Sequence, residues 1–260
     1  MTRALKNAIQ QALGKVNLAV IKRDNLECFT KISRRRVGIE LLFTLPDDHV
    51  ALALRLLKNS HSQLHQDLFM LSKLNFKRRG FFVEFGAADG LQLSNTYLLE
   101  REFEWNGIVA EPARIWHAAL YKNRKCRIET RCVWSSSDST LMFTEAESAD
   151  FSTVSTFRSC DDHRYTRTKS TGYLVGTISL LDLLVKYDAP AVIDYLSIDT
   201  EGSEFEILNS FDFSRYRFRV ITCEHNWTPM RDKIYALLTS HGYTRKCEKM
   251  SEFDDWYVML

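Results

Sequence analysis

The chain has 260 residues, of which 45% are hydrophobic and 26% are charged, a composition typical of soluble globular proteins. Only 10 Gly and 4 Pro are present, which excludes a fibrous or low-complexity chain. No apolar run approaches the roughly 20 residues of a membrane span, and polar side chains interrupt the first twenty residues, so we expect no secretory signal peptide.

Charge is distributed unevenly along the chain. Residues 1–36 carry nine basic and two acidic side chains, a net charge of +7, whereas the remaining residues total −5. A basic segment of this kind forms a solvated helix face, which is the simpler interpretation, or contacts an anionic partner. The six cysteines form no CxxC pair and no zinc-finger spacing, which favours a reducing, cytoplasmic setting.

The pattern of apolar residues divides the chain into two segments. Residues 1–75 repeat apolar side chains at helical spacing, which predicts a helical N-terminal extension. Residues 76–260 alternate short apolar runs with helical patterns, which predicts an α/β domain with a mostly parallel sheet and helices on both faces. The predicted strands are 81–85, 107–110, 127–133, 195–198 and 219–223, the predicted helices begin at 94, 112, 178, 203 and 230, and a hairpin at 243–246 and 256–259 closes the chain.

One segment does not fit this alternation. Residues 135–176 are rich in Ser, Thr and Asp and are long for a connection between a strand and a helix. Loops of this length are usually binding loops, lids or mobile segments. We therefore expect 135–176 to be an irregular loop that covers the acceptor.

Ligands of parallel sheets bind beyond the carboxyl ends of the strands. The first strand is followed by an ExGxxxG pattern that runs from Glu84 through Gly86 to Gly90, and glycines there allow a sharp turn and close approach of a ligand. A tight turn needs these glycines with or without a ligand. The helix predicted to begin at Ser94 offers free N–H groups, and Glu111 ends the second strand 21 residues beyond Gly90, where an acidic side chain suits a ribose diol.

Polar side chains also follow the fourth and fifth predicted strands. Asp199 and Glu201 come after the strand 195–198, and Glu224, His225 and Asn226 come after the strand 219–223. Carboxylate and amide oxygens hold hard cations, and carboxylates or a histidine serve as general bases. His225 is equally compatible with a hydrogen-bonded structural histidine.

Together these motifs resemble class I S-adenosylmethionine (SAM)-dependent methyltransferases, and more closely the FkbM family. The resemblance runs from about Ser60 to the C-terminus and implies a Rossmann-like sheet whose last strand is antiparallel. The matching stretches are SQLHQDLF (62–69), FFVEFGAADGLQLSNTYLLE (81–100), GIVAEP (107–112), TISLLDLL (177–184), YLSIDTEGSEFEIL (195–208) and ITCEHN (221–226).

The resemblance implies SAM as the cofactor and transfer of its methyl group to an oxygen nucleophile, commonly a hydroxyl of a sugar, glycolipid or polyketide. The acceptor is then a small molecule or a glycan. The residues implied to contact the cofactor are Glu84, Gly86, Ala87, Asp89, Gly90, Ser94, Asn95, Glu111, Pro112, Cys132, Val133 and Asp199.

Two routes would remove the proton of the acceptor hydroxyl. In the first, Asp199 or His225 acts as the general base beside Glu224. In the second, Asp199, Glu224 and Asn226 hold a divalent cation, Mg²⁺ rather than Zn²⁺, which lowers the pKa of the hydroxyl.

One position departs from the family pattern. His65 stands where relatives often carry glycine, and a histidine adopts a positive φ only at a cost in free energy. We therefore expect Gln66 and Asp67 to depart from the geometry of the relatives.

Two other functions compete with an O-methyltransferase. A SAM-fold module without catalysis would dock on a membrane surface or a partner through its basic N-terminal region. A nucleic-acid methyltransferase would carry an aromatic NPPY-like tetrapeptide after the fourth strand, whereas residues 199–202 are DTEG, so we expect no nucleic-acid partner. The sequence leaves the oligomeric state open.

Overall fold

The computed structural model describes residues 23–146, 152–157 and 170–259. The first 22 residues of the predicted N-terminal extension lie outside this range, as do residues 147–151 and 158–169 of the predicted loop. In chain order the elements are α1 (Arg23–Thr44), α2 (Asp47–Leu56), α3 (Gln66–Lys73), β1 (Phe81–Phe85), α4 (Tyr97–Phe103), β2 (Asn106–Ala110), α5 (Arg114–Asn123), β3 (Arg127–Glu129), β4 (Cys132–Trp134), β5 (Thr140–Ala146), β6 (Thr153–Val154), β7 (Ser170–Ser179), α6 (Leu180–Lys186), β8 (Val192–Ile198), α7 (Glu204–Asn209), β9 (Arg217–Glu224), α8 (Met230–Ser240), β10 (Tyr243–Lys246) and β11 (Asp254–Met259).

A seven-stranded sheet with the order β10-β11-β9-β8-β1-β2-β3 forms the centre of the fold. Its strands from β9 to β3 are parallel, and β11 lies antiparallel between β9 and β10. Both faces of the sheet are covered, since the neighbouring residues Phe82 and Val83 are fully buried in two separate apolar clusters. The predicted mostly parallel sheet with helices on both faces and an antiparallel last strand is confirmed.

The predicted third strand is in fact two strands. The chain leaves the large sheet after β3, and β4 joins a second sheet with the order β4-β7-β5-β6. The segment predicted as an irregular loop supplies the other three strands of that sheet. A half-exposed antiparallel ribbon takes polar residues on its outer face, such as the threonines and serines of β7, so its composition resembles that of a loop.

The described helices of the N-terminal extension pack against the large sheet. Val37 and Leu41 of α1 and Leu68 of α3 are buried in the same apolar cluster as Phe82 and Tyr195 of the sheet. The described part of the extension therefore shares its core with the sheet. No helix within 23–146, 152–157 or 170–259 has the length and apolar character to cross a membrane.

His65 adopts the left-handed conformation that was not expected of it, with φ 59° and ψ 35°. Its ring is buried against Gly38, and Nδ1 lies 2.9 Å from Ser60 Oγ, so local contacts offset the cost of the positive φ. Ser60 Oγ also donates to Asp67 Oδ1 at 2.8 Å, which fixes the first turn of α3.

Asp67 gives a test of this buried cluster. The side chain is fully buried, and burial raises its pKa from 3.8 to about 6. Between about pH 4 and pH 6 the unfolded chain loses this proton before the folded one, so the group lowers stability as the pH rises. We expect Asp67→Asn to raise the free energy of unfolding at about pH 8 by up to about 3 kcal/mol, a shift of about two pKa units, and to leave it unchanged below about pH 4.

Urea denaturation at four pH values between about 4 and 8 measures this difference. The exposed side chain of Glu102 supplies the control, since Glu102→Gln should show no such trend. A difference between wild type and Asp67→Asn that stays constant over the whole pH range would contradict the assignment.

Candidate functional site

A cavity of about 320 Å³ lies at the carboxyl ends of the parallel strands. The ends of β1, β2, β8 and β9 all contribute to its wall, together with β4 and the second sheet. Of the residues that the family resemblance assigned to the cofactor, those lining the cavity are Glu84, Gly86, Ala87, Ser94, Asn95, Glu111, Pro112, Cys132, Val133 and Asp199.

Gly86 allows the chain to turn at the cavity. Its φ is +71°, and a Cβ placed on it would lie 1.8 Å from the carbonyl oxygen of Asp199. Any side chain at this position would therefore collide with the end of β8, because real contacts of this kind do not fall below about 3 Å. The glycine brings the backbone of the β1 loop next to the end of β8.

Asp89 and Gly90, which the resemblance also assigned to the cofactor, lie outside the cavity lining. Asp89 Oδ1 accepts hydrogen bonds from the N–H groups of Leu91 and Gln92, both at 2.8 Å, an arrangement typical of a turn. Gly90 packs against Leu120 of α5. These two residues shape the loop that carries the cavity residues.

Glu84 organises the polar side of this loop. Its buried carboxylate accepts hydrogen bonds from Ser94 Oγ at 3.0 Å, Asn95 N at 2.7 Å and Thr96 Oγ1 at 2.6 Å. The guanidinium of Arg124, which has no exposed side-chain surface, lies 3.2 Å away and balances the charge. Glu84 thereby fixes Ser94 and Asn95 at the edge of the cavity.

Glu111 joins the glycine loop to the end of β2. Its oxygens accept hydrogen bonds from Ala88 N at 2.8 Å and Ala113 N at 2.7 Å. A carboxylate oxygen accepts more than one hydrogen bond, so the geometry remains compatible with a diol ligand. Beside it lie Cys132 and Val133, and burial raises the pKa of the Cys132 thiol to about 12, which keeps this apolar part of the wall uncharged.

The part of the cavity wall at the ends of β8 and β9 is acidic, and we call it the acidic wall. One carboxylate oxygen from each of Asp199, Glu201 and Glu224 lies within 4.8 Å of the other two. Burial and the charges of Asp199 and Glu201 raise the pKa of Glu224 well above its usual value. In the described part of the lining there is no lysine, arginine or histidine.

Sequence reasoning missed two members of this wall, Gln66 and Asp254. Gln66 Nε2 donates to Asp254 Oδ2 at 3.0 Å, and burial raises the pKa of Asp254 to about 8. Gln66 belongs to the family-like stretch 62–69, which could have identified it. Asp254 reaches the wall because it pairs with Glu224 across the antiparallel strands, and no local sequence pattern predicts that pairing.

His225 does not line the cavity, in contrast to its predicted role as a base. Its Nδ1 accepts a hydrogen bond from Trp227 N at 3.1 Å, and Nε2 lies 3.8 Å from Asp255 Oδ1. Burial lowers the pKa of His225 to about 4, so the ring is neutral at physiological pH. The ring thus lies beside Asp255, whose carboxylate also pairs with Arg231.

A family profile described as the methyltransferase FkbM domain matches residues 84–245. This match covers more than half of the sequence and includes the carboxyl ends of β1, β2, β8 and β9. The chain belongs to the FkbM methyltransferase family. A search among curated proteins found no match.

Several solved methyltransferases share parts of the fold with this FkbM-family chain at low similarity. The FkbM methyltransferase of Methylobacillus flagellatus is 13% identical, with a TM-score of 0.40 over 86% of this chain and 58% of that one. The precorrin-6y C5,15-methyltransferase of Geobacter metallireducens is 13% identical, with a TM-score of 0.36 over 69% of this chain and 71% of that one. A human methyltransferase 10 domain-containing protein is 10% identical, with a TM-score of 0.38 over 75% of this chain and 80% of that one.

The position of Glu111 predicts a large effect on cofactor binding. We expect Glu111→Ala to weaken binding of S-adenosylhomocysteine about 100-fold, because the loop loses two charge-assisted hydrogen bonds and the ligand loses an acceptor. Calorimetric titration measures the affinity. Glu206→Ala, which removes an exposed carboxylate from α7, should bind as wild type does, and equal affinity of all three proteins would exclude Glu111 from the site.

Proposed function

We propose that this FkbM-family protein is a SAM-dependent methyltransferase whose acceptor is a hydroxyl group of a sugar, a glycan or a glycosylated natural product. One observation carries the proposal. Gly86 in the loop after β1, the half-buried carboxylate of Asp199 and the buried carboxylate of Glu224 line the same cavity, so a cofactor loop and a proton acceptor border one space.

The chemistry of the wall fits SAM. SAM, when bound, supplies a methyl group on a positively charged sulfur. The backbone of the Gly86 turn lines the cavity, Ser94 and Asn95 are the proposed contacts of the methionine end, and Glu111 is the proposed acceptor for the ribose hydroxyls. The acidic lining suits a cationic ligand.

Asp199 and Glu224 are the proposed proton acceptors. A sugar hydroxyl is a weak nucleophile until its proton leaves, and a positioned carboxylate that takes the proton accelerates such a step. Their side chains are hydrogen-bonded to each other, and burial together with the charges of Asp199 and Glu201 raises the pKa of Glu224, so the pair holds a proton more readily than an ordinary glutamate does. His225 has no place in this step.

A carbohydrate acceptor is supported by an exposed aromatic side chain that neighbours a cavity residue in the sequence. Trp227 follows the cavity residue Asn226, and its side chain is 64% exposed. Its ring is held in place by the guanidinium of Arg231 at 5.1 Å and by the ring of His225 at 5.2 Å. A rigid exposed indole offers an apolar face to a sugar ring at little cost in conformational entropy.

A divalent cation remains the second proposed route to the reactive oxygen. Asn226 Nδ2 lies 3.5 Å from Glu201 Oε2, so the amide nitrogen of Asn226 is directed at the cluster. Glu201 takes the place predicted for Asn226, and the proposed ligands become Asp199, Glu201 and Glu224. A cation bound there would lower the pKa of the acceptor hydroxyl.

The competing function is an interaction module without catalysis. On the described part of α1, Phe43 is 86% exposed and Ile39 is 56% exposed, close in sequence to the exposed Arg35 and Arg36. This mixture of apolar and basic side chains favours a docking surface. It does not account for the buried acidic wall, so we retain it as the alternative, and the cytoplasmic location predicted from the cysteines remains a prediction.

Methyl transfer tests the proposal directly. The protein is incubated with isotopically labelled SAM and a panel of neutral methyl glycosides, and mass spectrometry detects a methylated product. We expect Asp199→Asn to lower the turnover about 100-fold or more, because the acceptor keeps its proton.

His225→Gln provides the matched comparison, and its turnover should stay close to that of wild type because the ring lies outside the cavity lining. Binding of S-adenosylhomocysteine without any transfer would favour the interaction module. Equal turnover of Asp199→Asn and wild type would remove Asp199 from the mechanism.

A further inference from the structure

Three buried acceptor oxygens around the cavity have no hydrogen-bond partner among the described residues. They are Asn95 Oδ1, Glu224 Oε2 and Asp254 Oδ1. All three side chains line the same cavity; Asn95 lies in the loop assigned to the cofactor, whereas Glu224 and Asp254 lie at the acidic wall and are more than nine-tenths buried. Leaving a buried acceptor unpaired costs free energy, so the arrangement points to a ligand that supplies the missing interactions.

The charge of the surrounding wall indicates the sign of that ligand. Glu224 is clustered with Asp199 and Glu201, and Asp254 faces it on the neighbouring strand. The nearby guanidinium groups are engaged elsewhere, Arg231 and Arg245 with Asp255 and Arg124 with Glu84. The described lining thus combines several carboxylates and unpaired acceptors with no basic side chain.

The backbone is also strained at two other residues of the acidic wall, Glu201 and Asn226. Glu201 has φ 57° and Asn226 has φ 43°, both in the left-handed region that favours glycine. Such conformations cost free energy and persist where the surrounding structure enforces them. Here they accompany the carboxylate of Glu201 and the amide of Asn226 at the acidic wall, with Thr153 Oγ1 of the second sheet donating to the carbonyl oxygen of Glu201 at 2.9 Å.

We propose that Asp199, Glu201 and Glu224, with Asp254 beside them, form a cation subsite in addition to the cofactor site. Its occupant is a cation that binds several oxygen atoms at once, either by coordination or by donating hydrogen bonds. A divalent metal ion and an ammonium group on the acceptor both have this chemistry. The proposal deepens the proposed function and rests on it for the role of the subsite in catalysis, although binding is measurable without turnover.

The metal arm of the test uses Mn²⁺. It is titrated into protein saturated with S-adenosylhomocysteine, so that the ammonium group of the cofactor is already in place, and electron paramagnetic resonance reports the free ion. We expect one ion per chain, displaced by Mg²⁺. Glu201→Gln and Glu224→Gln should each weaken binding about tenfold or more, because affinity follows the number of charged ligands, and the exposed Glu206→Gln should have no effect.

The ammonium arm uses two simple glycosides. Ligand-detected magnetic resonance compares the methyl glycoside of glucosamine with that of glucose on the same saturated protein. Preferential binding of the amino sugar that is lost in Glu224→Gln and in Asp254→Asn would assign the subsite to the acceptor. Binding of Mn²⁺ with the same dependence on carboxylates would assign it to a metal.

Three results would overturn the proposal. The first is that neither probe binds, and the second is that binding is insensitive to the carboxylate variants. The third is that Mn²⁺ binds only when S-adenosylhomocysteine is absent, a result that would make the acidic wall part of the cofactor site. Affinity for S-adenosylhomocysteine verifies that each variant is folded. If a cation binds as expected but no acceptor is methylated, the subsite stands and the proposed function fails.

Discussion

The buried ion pair of Glu84 and Arg124 holds the site together. Glu84 is the last but one residue of β1 and binds the segment that leads into α4. Arg124 follows α5 and reaches back to the same segment through Thr96 Oγ1 at 2.8 Å and the carbonyl oxygen of Gly90 at 3.3 Å. Arg124 also binds Glu100 Oε2 at 2.7 Å. A pair of this kind, with both charges out of water, persists only when its hydrogen bonds are satisfied. Its partners are the residues that position Ser94 and Asn95 at the cavity.

How much of the site the sequence predicts depends on how local each interaction is. Gly86, Glu111 and Asp199 line the cavity, because each follows a buried strand and the strand ends of a parallel sheet meet at one edge. His225 was expected in the cavity for the same reason. Its backbone N–H, however, donates to the carbonyl oxygen of Phe253 at 2.9 Å, a contact with the last hairpin, and its ring lies beside Asp255 instead.

The fold shows the same limit of sequence reasoning. The order and direction of the central strands follow from alternating apolar runs and helices. The break between β3 and β4 does not, because Arg127–Glu129 pairs with β2 whereas Cys132–Trp134 pairs with β7, some forty residues further along the chain. The second sheet was not predicted from the sequence either, since its outer face carries polar side chains. Its inner residues Phe143 and Val154 form part of the cavity wall, so it belongs to the site.

The helical extension also takes part in the site. His65 and Asp67 share Ser60 as a hydrogen-bond partner, and between them Gln66 reaches Asp254 on the last strand. The left-handed backbone of His65 places Gln66 at the start of α3, where its Oε1 also accepts a hydrogen bond from Leu64 N at 2.9 Å. One amide thus connects the extension, the acidic wall and the antiparallel end of the sheet. Because Gln66 carries no charge, it orients Asp254 by a hydrogen bond without adding a positive charge to the wall.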